Sequence, residues 1–362
     1  MSALADRLRD RIRREGPLTF YEWMKAALYD PEQGYYCRAD RERWGRAGDY
    51  RTSPERSVLF AATFARYFAR LHAAVGSPAE WTIVEAGAGG GHFAETILIT
   101  LQQRFPEVFA AARYVIDEVS ASSRSQTQAR LARFGTRVEF KNLQELQTLN
   151  PGIVFANELL DAFPVHRVIM RQGELREFYV GLNDSGDFEW VIGTPVSGLS
   201  EQIGQHDLQL TNDQIAEISP GIEQWLQLVS SKLVKGFLII VDYGAEASEL
   251  YSSAERTKGT LRAFHRHQFA EDMLARVGEQ DLTTSINWTL VRSVLSKKSF
   301  RVVTFDRQDK FLLSAGLLEE LELRASEARS EAERLSLRTG AREMILPGGM
   351  AESFQVVVAE KV

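Results

Sequence analysis

Trp81-Thr82-Ile83-Val84-Glu85-Ala86-Gly87-Ala88-Gly89-Gly90-Gly91-His92-Phe93 is the stretch on which the fold turns. Its opening is short, apolar and β-branched, the composition of a strand buried on both faces. The run breaks into glycines and restarts as GHFAETILITLQQRF (91–105), whose apolar residues recur at helical spacing. Glycine suits such a turn because the backbone bends sharply and comes close to a ligand, where a β-carbon would collide. Many strand-to-helix turns hold glycines for steric reasons alone, so the loop by itself names no ligand.

The same alternation continues outward. ARYVIDEV (112–119) reads as a second strand, followed by the helix SASSRSQTQARLARF (120–134). TRVEF (136–140) and GIVFANE (152–158) are two more strands, and KGFLIIVDYG (235–244) a fifth, preceded by the helix PGIEQWLQLVSSKL (220–233). RVVTF (301–305), a long charged helix near 318–337 and the strand SFQVVVAEK (353–361) complete the series. Strands separated by helices predict an α/β fold with a doubly wound, mostly parallel sheet. Residues 165–192 differ: they alternate polar and apolar, with turns at Gln172-Gly173 and Asn183–Gly186, and predict inserted antiparallel hairpins. Upstream, Leu4, Leu8 and Ile12 mark a short helix, and Phe60, Phe64, Tyr67, Phe68 and Leu71 lie on one face of a helix over 57–74. The expected division is an N-terminal helical lid at 1–80, a first core half at 81–164, an inserted substrate-side subdomain at 165–217 and a second core half at 218–362.

Composition narrows the function classes. The chain has 362 residues, 44% of them hydrophobic and 25% charged, which is ordinary for a globular enzyme and ample for a large core. A net charge of −6 gives no support to nucleic-acid binding or a polybasic membrane surface. The single Cys37 excludes an intrachain disulfide framework and a multi-cysteine metal site, and fits a reducing compartment. The N-terminal bases are interrupted by Asp6, Asp10 and Glu15, unlike a secretory signal or transit peptide. Without an apolar run of about 18 residues, no transmembrane helix is expected. A cytoplasmic enzyme is the resulting expectation.

The glycine spacing bears on the cofactor. Dinucleotides usually call for G-x-G-x-x-G with the pyrophosphate at the helix N-terminus. Here the glycines are Gly87, Gly89, Gly90 and Gly91, and no Walker lysine follows. S-adenosylmethionine has no phosphate to neutralise and suits this loop better than NAD, which is the rival. A carboxylate at the end of the second strand can accept both ribose hydroxyls of a nucleoside. Glu118 is expected in that role; Asp117 is the adjacent alternative, since alternation turns only one of them into the cleft.

Further blocks carry a family resemblance. Gly48-Asp49-Tyr50-Arg51-Thr52-Ser53-Pro54-Glu55, Ala156-Asn157-Glu158-Leu159-Leu160-Asp161-Ala162-Phe163-Pro164-Val165 and Val241-Asp242-Tyr243-Gly244 occur in order. They are followed by Gly259-Thr260-Leu261-Arg262-Ala263-Phe264 with His265 and His267, then Asp281-Leu282-Thr283 and the segment Pro347–Met350. Together they resemble the MidA family, the mitochondrial complex I assembly methyltransferases and their bacterial relatives, over nearly the whole chain. The resemblance implies a class I methyltransferase fold with a seven-stranded sheet, S-adenosylmethionine as cofactor, and a protein side chain, arginine in the mitochondrial members, as acceptor. It implies cofactor contacts from Gly48, Asp49, Tyr50, Thr52, Glu85, Gly87, Gly89, Gly91, Glu118 and Asn157, with Glu85 facing the methionine part. This chain departs from the family at Arg56, Val58 and Ala61, and at Ser285 and Asn287, where a histidine and an aspartate are usual.

For the chemistry, Asn157, Glu158, Asp161 and His265 are the expected catalytic residues. Carboxylates can fix a planar guanidinium and accept its developing charge. If 158–161 is helical, Glu158 and Asp161 share a face; the bland alternative is that Asn157 and Asp161 hold a turn. Asp49 and Tyr50 serve either a lid over the cofactor or ordinary turn chemistry. His265 is either a proton acceptor or a hydrogen-bonded structural residue. His265 and His267 lack a third ligand, so no metal is expected. The charged helix near 318–337 reads most simply as a solvated face. A small-molecule methyltransferase and a non-catalytic assembly factor with a degenerate site are the remaining rivals.

Overall fold

The computed structural model describes residues 2–38, 57–205, 210–252, 256–265, 268–346 and 353–362. They fall into two compact units, each assembled from three stretches of chain. One comprises residues 42–159, 227–243 and 295–362, and the other 1–41, 160–226 and 244–294. The boundaries expected from the sequence follow the chain, whereas these units do not: the 1–80 stretch contributes to both.

The first-named unit is built on seven strands of an eight-stranded sheet. Its strands are β1 (Trp81–Ala86), β2 (Ala112–Asp117), β3 (Val138–Phe140), β4 (Gly152–Asn157), β5 (Gly236–Ala245), β6 (Phe300–Arg307) and β7 (Phe354–Lys361). They lie in the order β6-β7-β5-β4-β1-β2-β3. All neighbours from β5 to β3 pair in parallel, while β7 runs antiparallel to both β5 and β6. This is the doubly wound, mostly parallel sheet that the alternation of strands and helices predicts. β5 spells FLIIV without a break because it is buried on both faces in the middle of the sheet.

Helices α1 (Val58–Ala74), α2 (His92–Arg104) and α3 (Ala121–Leu131) belong to this unit, as do α4 (Gln308–Ala315), α5 (Leu317–Glu327) and α6 (Glu331–Ile345). The Ser57 hydroxyl accepts from Leu59 N–H at the start of α1 and Ser120 from Ser123 N–H at the start of α3, the usual side-chain answer to orphan amides. The aromatic face expected on α1 is the centre of the core. Phe64 meets Phe60, Phe68, Phe93, Phe155 and Phe311, and Phe93 stacks on Phe155 at 4.3 Å. Truncating such a ring to Ala typically costs about 3–5 kcal/mol. One expectation is corrected here. The single charged helix near 318–337 is two helices, because Ala328 is extended and the Ser330 hydroxyl starts α6 afresh by accepting from Glu333 N–H.

The second unit carries the expected antiparallel hairpins. His166–Arg171, Glu174–Leu182 and Phe188–Gly193 pair successively, turning at Gln172-Gly173 and over 183–187. Leu18–Thr19 and Ile215–Ile218 complete a five-stranded sheet. Arg262–His265, Gln268–Phe269 and Asp281–Thr283 form a separate three-stranded sheet. Helices Ala3–Glu15 and Phe20–Tyr29 also lie here, the first burying Leu4, Leu8 and Ile12 as its period requires.

Candidate functional site

In an open α/β sheet, ligands sit beyond the carboxyl ends of the strands, where the strand order reverses. Here the reversal lies between β1 and β4. Beyond these ends come the glycine loop after β1, Glu118 after β2, Asn157-Glu158-Leu159 after β4, and Asp242-Tyr243 at the end of β5. The fold brings Glu85, Gly87, Gly89, Gly91, Glu118, Asn157 and Glu158 to one edge of one sheet.

The glycine loop is tightly specified. Gly87 has a φ of 72°, in the left-handed region. A β-carbon on it would stand 2.9 Å from Leu159 Cδ1, so the loop after β4 closes over the one after β1. Its N–H donates to the Asp117 carbonyl at 2.8 Å. Gly91, with a φ of 74°, begins α2, and a β-carbon there would stand 2.6 Å from Thr127 Cγ2.

The two acidic candidates after β2 separate clearly. Glu118 is 7% exposed; its Oε2 accepts from Gly89 N–H at 2.9 Å and its Oε1 from Ser120 N–H at 2.8 Å. Asp117 instead accepts from Leu143 N–H, and burial raises its pKa. Glu118 is therefore the carboxylate turned to the loop. Glu85 is buried within β1 and accepts from the Tyr114 hydroxyl at 2.6 Å. Burial first, then the nearby Glu118 charge, pushes its pKa up to about 8 against the opposing Tyr114 bond. The Tyr114 hydroxyl is itself driven well above its ordinary value, chiefly by burial.

After β4 the backbone is unusual. Glu158 has a φ of 51°, which a residue with a β-carbon seldom adopts and which costs of order 1–3 kcal/mol. Its N–H donates to the Val241 carbonyl at 2.9 Å. Asn157 Nδ2 donates to Glu158 Oε1 at 3.1 Å, while Asn157 Oδ1 is buried with no partner among the described residues. The conditional helix over 158–161 is not formed, because the left-handed Glu158 ends the strand and a turn follows, with Phe163 N–H bonded to the Leu160 carbonyl.

The remaining candidates lie in the second unit. Asp161 is 4% exposed, and its carbonyl accepts from Thr284 N–H at 2.9 Å. His265 Nδ1 donates to the Glu279 carbonyl at 2.9 Å. The Gly259-Thr260 and Asp281–Thr283 blocks are joined: Thr260 N–H donates to Glu217 Oε2 at 2.7 Å, Ser285 N–H donates to the Thr260 hydroxyl at 3.1 Å, and Arg262 lies opposite Thr283. Asn287 Oδ1 accepts from Leu290 N–H at 3.0 Å in the first turn of the helix Trp288–Lys297, a helix-cap contact that an aspartate would make equally well. Gly48, Asp49, Tyr50, Thr52, Arg56, His267 and Pro347–Met350 lie outside the described residues. Among the described residues, no group of three His, Cys, Asp or Glu side chains could hold a metal ion, and no helix is long and apolar enough to cross a membrane. Sequence reasoning missed Tyr114, Thr127 and Arg130. The last two are spaced i, i+3 on a helix, a pattern too common to single out.

Comparison with known proteins agrees with this geometry. Residues 63–305 match the model of a family described as "Putative S-adenosyl-L-methionine-dependent methyltransferase". The chain is 28% identical over 321 residues to the protein arginine methyltransferase NDUFAF7 homolog, mitochondrial, of Drosophila melanogaster, covering 81% of this chain and 70% of that protein. It is 25% identical to the Homo sapiens NDUFAF7, likewise named a mitochondrial protein arginine methyltransferase, over 95% of this chain and 80% of the relative. A Burkholderia thailandensis protein crystallised with S-adenosyl-homocysteine superposes with a TM-score of 0.86 at 27% identity, covering 99% of this chain and 92% of that one.

Proposed function

The chain belongs to this family of S-adenosyl-L-methionine-dependent methyltransferases, and we propose that its methyl acceptor is a protein side chain, arginine in the first place. The relatives named as protein arginine methyltransferases support this reading at 24–28% identity. The observation that carries it is the pair Asn157–Glu158: a carboxylate on a strained backbone at the ligand edge of the sheet, steadied by the neighbouring amide.

The site fits the cofactor on its own features. The glycine loop holds Gly87 at a left-handed φ with the Leu159 side chain close over it, Glu118 stands beside it, and Asn157 presents an unsatisfied buried acceptor. When bound, S-adenosylmethionine supplies a methyl group already activated on a sulfonium. The protein then mainly aligns the nucleophile about 3 Å from that carbon and keeps water out. Glu118, held beside the loop by Gly89 and Ser120 N–H, is the carboxylate for the ribose hydroxyls. Glu158 orients the guanidinium and takes the proton shed by the attacking nitrogen; a catalytic role for Asp161 is proposed from the sequence alone. A catalytic role for His265 is proposed from the sequence alone. Cofactor contacts from Gly48, Asp49, Tyr50 and Thr52 are proposed on the family resemblance alone. We propose the cytoplasm as the compartment, on the single Cys37; the curated relatives are named mitochondrial.

The test is transfer of radiolabelled methyl into a lysate of cells lacking the protein, followed by acid hydrolysis and amino-acid analysis. Label in methylarginine is expected. Label confined to the small-molecule fraction would replace the protein acceptor with a metabolite.

A further inference from the structure

The peptide groups of the glycine loop are held from the side of α3. The carbonyl of Gly89 accepts from the Thr127 hydroxyl at 2.9 Å, and the carbonyl of Gly90 from Arg130 Nε at 2.8 Å. Thr127 and Arg130 are three apart on α3 and so share a face. Thr127 is fully buried. Arg130 is anchored in turn, donating to Glu95 Oε2 at 3.1 Å and to His92 Nε2 at 3.1 Å, which makes that nitrogen the acceptor. Both partners lie in the first turn of α2, directly after the loop.

These contacts fix more than position. In a planar trans peptide, C=O and N–H point in opposite directions. With the Gly89 carbonyl turned to Thr127, the N–H of Gly90 faces away from α3. With the Gly90 carbonyl turned to Arg130, the N–H of Gly91 faces back into the loop, where it meets the Ala88 carbonyl at 3.0 Å. The preceding peptide is set from its other end by Glu118, which accepts from Gly89 N–H. Among the described residues, the N–H groups of Ala88 and Gly90 have no acceptor. The carbonyls of Ala88, Gly89 and Gly90 are thus engaged, and two donors are held open.

We infer that Thr127 and Arg130 are positioning residues for the cofactor, which hold the peptide planes of Gly89 and Gly90 so that the loop meets its ligand with N–H donors. Neither residue needs to touch the cofactor for this. A hydroxyl at 127 does the work; a methyl group in its place lets the Gly89–Gly90 peptide rotate and leaves a carbonyl without its partner.

The test is calorimetric titration of the full-length chain with S-adenosylhomocysteine, alongside melting curves. Thr127→Val is expected to weaken binding about tenfold, as for one lost hydrogen bond, with the melting temperature held within a few degrees. Thr127→Ser, which restores the hydroxyl, returns affinity to within about twofold of the parent. Arg130→Ala is expected to weaken binding to a similar extent, and Arg130→Lys to give no rescue, because a single ammonium cannot span the carbonyl, the carboxylate and the imidazole. Parental affinity in Thr127→Val overturns the inference. So does a Thr127→Ser variant as weak as Thr127→Val, or a loss of binding that merely follows a loss of folded protein. If Thr127→Val does not fold, Thr127→Ala removes the same hydroxyl without adding bulk and is judged by the same outcomes.

Discussion

The loop after β1 and the loop after β4 leave neighbouring strands at the same edge of one sheet, yet they are built in opposite ways. The first is backbone: glycines, carbonyls engaged by α3, and amides engaged by Glu118 and by the Asp117 carbonyl. The second is side chain: Asn157 with an unsatisfied buried oxygen, Glu158 forced to positive φ, and Leu159 reaching over Gly87. The difference teaches how labour is divided at the site. A rigid loop whose peptide planes are held from outside suits a cofactor that is the same in every turnover, whereas strain and an unmet hydrogen bond are what the proposed reading assigns to the groups that meet a reacting partner.

The comparison breaks most sharply at Gly87. Gly87→Val adds a β-branched side chain at a φ of 72° and against Leu159, so S-adenosylhomocysteine binding should fall below calorimetric detection while the fold survives. Unchanged affinity in a folded variant would show that the first loop does not approach the cofactor. The next largest effect concerns the strand beneath that loop. Glu85 titrates near 4.5 when unfolded and at about 8 in the fold, so the folded chain keeps a proton that the unfolded chain sheds between these values. Its contribution is therefore fully present below pH 4.5 and is lost as pH rises through 8, on the order of 5 kcal/mol in all. Glu85→Gln cannot ionise; urea unfolding at pH 5 and pH 8.5 should show the parent losing more stability than the variant. Equal losses would refute the assignment.

The second loop is tested by turnover. Glu158→Gln should leave cofactor affinity within about twofold while the rate falls roughly a hundredfold, the size expected when a positioned charge leaves a water-excluded site. Asp161→Asn should follow the same pattern. If Glu158→Gln loses cofactor affinity instead, the division between the loops is wrong. The smallest effect is expected at Glu118→Gln, where an NH2 group comes to face one of two backbone N–H donors. Cofactor binding should weaken by about 1–2 kcal/mol, and Asp117→Asn should be nearly neutral. Calorimetry that reverses this ranking would return the ribose role to Asp117.

Much of the fold is legible in the sequence. Buried strands such as FLIIV, the helix face of Phe60, Phe64 and Phe68, and the glycine turn all follow from local periodicity, and the structure keeps them. Legibility stops where partners are distant in sequence. Nothing local tells Thr127 and Arg130 that their acceptors are Gly89 and Gly90, or His265 that its ring will donate to the Glu279 carbonyl. The helix considered for 158–161 fails for a similar reason: β5 takes Glu158 N–H through the Val241 carbonyl, a partner more than 80 residues away. The choice between Asp117 and Glu118 depended on strand register, which alternation leaves open until the end of β2 is known.

The place of β7 has a consequence for how the protein is made. Residues 354–361 fill the gap between β5 and β6, so those two strands cannot be bridged while the polypeptide is still being threaded out of the ribosome short of that segment. The unit bearing the hairpins draws its last residues from 244–294 and has all its parts at an earlier moment of translation. Until β7 emerges, the backbone N–H and C=O groups along that side of β5 have no strand to pair with, which leaves an open edge on the nascent sheet.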